Sequence, residues 1–130
     1  MGDVVDFSGI TYGKVAIKDV LAGAEKLLPE SLMIIGAVQG AVVYSGNIEH
    51  AKSVDYESVV VIGLTTTNSI YYAYSEPGLH EALGLVLWLQ GKLQKDFYVP
   101  YSIHTVRLQG LLKMVEVDML TTDEVFMEGE

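Results

Sequence analysis

The chain of 130 residues contains no cysteine. That excludes a disulfide framework, a thiolate metal site and a cysteine nucleophile, and it fits a reducing compartment such as the cytoplasm. Bases are scarce: eight Lys and Arg stand against seventeen acids, for a net charge of −9. Repulsion of phosphate argues against direct nucleic-acid binding and makes a basic protein surface the easier partner. Long apolar runs are missing too. The most apolar stretches, 32–44 and 82–89, fall short of the ~20 residues that cross a bilayer, so a protein off the membrane is expected. The start, Met1-Gly2-Asp3-Val4-Val5-Asp6, has acids where a secretion signal carries bases, and Asp6 breaks the myristoylation pattern.

Half of the residues are apolar, and at this length a single domain spanning 1–130 can bury its own core. One phrase occurs twice. SLMIIGAVQGAVVYSG runs from Ser31 to Gly46, and SVVVIGLTTTNSIYYAYS from Ser58 to Ser75, with Ser31 matching Ser58 and Gly36 matching Gly63. Each copy is rich in Val, Ile and Tyr around a turn-prone centre and reads as a β-hairpin. In the second copy the arms are Ser58–Leu64 and Ile70–Ser75, with the turn in 65–69. The polar connector between the copies leaves room for one helical turn around Ile48–Lys52.

Residues 1–16, with Gly2, Gly9 and Gly13, read as an irregular arm with a short strand around Val4–Phe7. From Lys18 to Leu28, Val20, Leu21, Ala24, Leu27 and Leu28 share one helical face, and Pro29 ends the helix. After Glu76-Pro77-Gly78, a second helix carries Leu79, Leu83, Val86, Leu87, Gln90 and Leu93 on one side, widened by Leu85, Trp88 and Leu89. So broad an apolar stripe belongs in a core or against another subunit. Gly84 and Gly91 within it suggest close packing. Beyond Pro100, strands over Tyr101–Leu108 and Leu111–Leu120 with a turn at Gln109-Gly110 are expected, from the alternation Val115-Glu116-Val117-Asp118-Met119. The last ten residues, 121–130, read as an acidic tail. The expected fold class is α+β: a largely antiparallel sheet, made from two similar β-hairpins plus a C-terminal hairpin, packed against two helices.

The segments GDVVDFSGIT, IKDVLAGAEK and VVVIG, the YYAYS arm and VLWLQGKLQK together resemble a group of small uncharacterised proteins encoded by tailed phages and prophages. The likeness covers residues 2–46 and 58–95. It implies that the second hairpin is an internal duplication, because the family has a single hairpin between its helices. It implies no catalytic residue.

Reactive motifs are absent. Gly9-Ile10-Thr11-Tyr12-Gly13-Lys14-Val15 is one residue short of a phosphate loop and ends in Val15 where a hydroxyl is needed. His50, His80 and His104 sit in separate segments and begin no zinc helix, so no metal, no cofactor and no catalytic residue is expected. Glu116 and Asp118, two apart on an expected strand, would share its outer face. Tyr72 and Tyr74 share one strand face. With Leu87 and Trp88 they form the candidate interaction surface, since tyrosine and tryptophan favour protein contacts. Lined by Tyr72, Tyr74 and Trp88, the same region would serve a nucleotide-like small ligand. The leading expectation is a phage-encoded or prophage-encoded interaction protein, cytoplasmic in the host, that self-associates and binds a host factor, inhibiting a bacterial defence system. The alternatives are a minor head or tail component of the virion and the small-ligand protein.

Overall fold

Gln39 and Gly40 both adopt positive φ, 50° and 83°, the conformation of a tight two-residue hairpin turn whose twist matches that of its strands. They join β1 (Met33–Val38) to β2 (Ala41–Ser45), with Val38 opposite Ala41. In the second hairpin, β3 (Ser58–Leu64) and β4 (Ile70–Tyr74) meet through a longer loop, with Leu64 opposite Ile70. Thr65 Oγ1 holds that loop by accepting from the backbone N–H groups of Thr67 and Ser69. The computed structural model describes residues 16–75, 78–95 and 103–128. The expected N-terminal arm, with its strand around Val4–Phe7, lies outside them.

The hairpins fuse through an antiparallel pairing of β1 with β3, Ile34 opposite Val61, to give one four-stranded sheet in the order β2-β1-β3-β4. The fold is α+β with an antiparallel sheet. Among the described residues the α-helices are α1 (Ile17–Ala24), α2 (Ile48–Lys52), α3 (Leu79–Lys95) and α4 (Ile103–Glu128). A helix followed by a hairpin therefore occurs twice. Asn47 caps α2 by accepting from the His50 N–H at 3.1 Å.

Both faces of the sheet are covered. On one, Gly63 and Gly36 make room for helix-side groups: a Cβ on Gly63 would lie 2.8 Å from Leu27 Cδ1, and one on Gly36 would meet the Tyr56 ring and lie 2.8 Å from the Ser58 carbonyl oxygen. On the other, Tyr72 donates from its hydroxyl to Asp118 of α4, and α3 packs against β3 and β1. A strand covered twice needs apolar residues on both sides, and every residue from Met33 to Ile35 and from Val59 to Ile62 is buried.

Four expectations are corrected. The expected C-terminal hairpin is replaced among the described residues: from Ile103 on, the segment read as two strands with a turn at Gln109-Gly110 is part of α4, a helix of 26 residues. Leu108, Leu111, Leu112, Val115 and Met119 are its buried positions, and this spacing of three and four outweighs a short alternation. The helix also runs on to Glu128, through most of the stretch read as a tail. Helix α1 stops at Ala24, short of Pro29, because the Leu28 N–H bonds to the Leu64 carbonyl at 2.8 Å and draws the chain onto the sheet. Finally, among the described residues nothing lies within 4 Å of where a Cβ on Gly84 or Gly91 would be, so neither glycine serves close packing there.

Candidate interaction surface on the last helix

The residues expected to form a surface divide. Tyr72 and Tyr74 are 2% and 1% exposed, with rings stacked at 6.3 Å between centroids; both belong to the core under α3 and α4. Trp88 is half-buried against that core, and Leu87 is 47% exposed on the outer side of α3. The structure thus separates Leu87 from the two tyrosines.

The larger apolar surface lies on α4. Its inner face is already used in the core, yet Ile103 is 77% exposed, and Val106, Met114, Val117 and Leu120 lie between 41% and 57%. Ile103, Val106, Gly110, Lys113, Val117 and Leu120 follow one another at alternating steps of three and four, the repeat of a coiled-coil seam. Solvent normally meets the polar side of a helix. Here the helix is apolar on two sides, and only one is covered among the described residues.

Two hydrogen bonds set the rotation of α4. Beyond the bond from Tyr72 to Asp118, Gln90 of α3 donates to Glu116 Oε1 at 2.9 Å, and Lys113 reaches the same oxygen at 3.4 Å. These donors, Gln90 first and Lys113 second, hold the Glu116 carboxyl below its ordinary value. Glu116 and Asp118 therefore do not share the outer face of an edge strand. They point from a helix to two different neighbours and stand apart as catalytic partners.

A groove of about 470 Å³ opens beside the first turns of α4. Leu64, Ile70, Leu108, Leu111 and Met114 supply apolar walls; Arg107 and Glu30 bring charged groups to the lining and His104 a polar one. Its edge is shaped by Ser31, whose hydroxyl donates to the Leu28 carbonyl at 2.9 Å and accepts from the Leu64 N–H at 2.8 Å. Among the described residues no group of three or more metal-ligating side chains converges, and no helix is long and apolar enough to cross a membrane. The α4 surface was missed from the sequence because the segment was read as strands; its signal was the step of three and four from Ile103 to Leu120.

No protein-family model, curated protein or solved structure matches the chain.

Proposed function

We propose that this chain works by binding other proteins, and that a second copy of itself is one of them. The observation that carries this reading is the outer face of α4, where Ile103, Val106, Met114, Val117 and Leu120 are exposed on a helix whose opposite face already fills the core. Five large exposed apolar side chains on one side of a helix, interrupted by Gly110 and Lys113, are more than the single surface leucines a protein normally shows, and they support an interaction site. The net charge of −9 favours a basic surface on any further partner. The resemblance to small phage-encoded proteins extends the proposal to a host factor in an infected bacterium, with interference in a defence system as the role.

The test is light scattering coupled to size-exclusion chromatography on the wild type and on Val117→Asp. The wild type is expected to run as a dimer or larger species and Val117→Asp as a folded monomer with unchanged circular dichroism. A monomeric wild type, even at high concentration, would remove self-association from the proposal.

The groove beside Arg107 supports a second reading, a small amphiphilic ligand with an acidic head and an apolar body. In that case a fatty acid or an aromatic phosphate raises the melting temperature of the wild type and leaves that of Arg107→Glu unchanged.

A further inference from the structure

We propose that the trough beside β2, lined by Val42, Tyr44 and Trp88, receives a helix of a partner protein in the way that β4 receives α4. The sheet carries an approximate twofold axis. The shift that carries Ser31 to Ser58 and Gly36 to Gly63 also carries Ile34 to Val61, and these two lie directly opposite each other where β1 pairs with β3. The flanking pairs, Met33 with Ile62 and Ile35 with Val60, exchange under the same shift. Packing repeats the symmetry. A Cβ on Gly36 would meet Tyr56 and Ser58, at the entrance to the second hairpin; a Cβ on Gly63 would meet Leu27 and Ser31, at the entrance to the first. Two like units thus face each other as the subunits of an isologous dimer do.

The axis makes β2 the counterpart of β4. Tyr44 lies opposite Ile35 as Tyr72 lies opposite Ile62, and Val42 opposite Ala37 as Ile70 opposite Leu64. On β4 these positions are used: Tyr72 is buried and donates its hydroxyl to Asp118 of α4, and Ile70 shares a groove with Leu108 and Leu111. On β2, Val42 is half-buried and Tyr44 is 40% exposed. Helix α3 lies over β3 and β1, close to the axis. Among the described residues it has its helix partner, α4, on the flank where Gln90 reaches Glu116. Trp88, two residues earlier in a helix of about 3.6 residues per turn, stands on the opposite flank, half-buried. The molecule's own α4 shows what suits such a trough: a helix with aliphatic residues three and four apart, as Leu108, Leu111 and Val115 are, and a carboxylate that takes the tyrosine hydroxyl. Tyr44 and Trp88 supply the aromatic anchors usual at protein interfaces.

Trp88 is the chain's only tryptophan, so its emission reports on the trough. The probe is a synthetic peptide of residues 103–120, which lacks tryptophan and balances Arg107 and Lys113 against Glu116 and Asp118. It is titrated into the full-length wild type and into Val117→Asp, so that this docking and the self-association proposed above are read separately. A saturable blue shift of Trp88 emission is expected in both. Tyr44→Glu, checked for folding by circular dichroism, should weaken binding about tenfold or more, and a peptide with Asp118→Ala should also bind less tightly. No shift, or a shift that Tyr44→Glu leaves unchanged, overturns the inference. In Val117→Asp without peptide, emission that moves with protein concentration puts a second copy over Trp88, and emission already that of a fully buried indole puts another part of this chain there. Either outcome overturns the inference as well.

Discussion

Gly63 and Gly84 both interrupt regular structure, with opposite consequences. Gly63 lies where the sheet meets the turn after α1: besides Leu27 Cδ1, an added Cβ would come within 3.3 Å of Leu27 Cβ and Ser31 Oγ. Gly63→Ala forces those buried groups apart and should cost about 1–3 kcal/mol. Gly84 on α3 meets nothing among the described residues, so Gly84→Ala should stabilise by about 0.5–1 kcal/mol through helix propensity. Urea titration of the two variants checks both signs. The pairing of Tyr72 with Asp118 joins β4 to α4 across the layer boundary. Tyr72→Phe keeps the ring and its stacking on Tyr74 but removes the donor, and a loss of about 1–2 kcal/mol by the same titration is expected.

At the scale of elements, Glu116 is one polar link between α3 and α4. Its carboxyl is held below the ordinary glutamate value, so the folded chain binds the proton less readily than the unfolded chain. The stabilisation is therefore complete above the unfolded pKa of about 4.3 and is lost as pH falls through the lower, folded value. Glu116→Gln should abolish that part of the acid sensitivity. Stability measured between pH 6 and pH 3 should fall more for the wild type than for the variant, by about 1 kcal/mol or less.

What the sequence could reveal follows from whether a signal is local. The arms of the second hairpin, the turn between them and the helical turn at Ile48–Lys52 are set by neighbouring residues, with the Asn47 cap and the Thr65 hydroxyl as examples, and were legible. The end of α1 is set by a bond to Leu64, 36 residues away, and was not. Helix α4 was misread because Val115-Glu116-Val117-Asp118-Met119 satisfies a period of two over five residues, while the longer spacing from Leu108 to Met119 is helical. Losing α4 also changed the reading of the two tyrosines. Without a helix over the second face of the sheet, Tyr72 and Tyr74 read as surface, whereas Leu87, on a helix correctly located, is exposed.

For the whole molecule, association and stability are linked. If α4 pairs two copies, the melting temperature of the wild type should rise with protein concentration, because the dimer draws on the folded state alone. That of Val117→Asp should stay flat. Scanning calorimetry over a hundredfold range of concentration distinguishes them.

The strand order has a consequence for how the chain reaches this state. Each hairpin closes over a short loop and can form on its own timescale. The sheet is completed only when β1 finds β3, and that pairing joins Ile34 to Val61 with β2 and α2 between them. Closing so long a loop costs more entropy before any contact compensates it. The expected order of folding is therefore each hairpin first and the β1–β3 pairing last, with that pairing as the slow step.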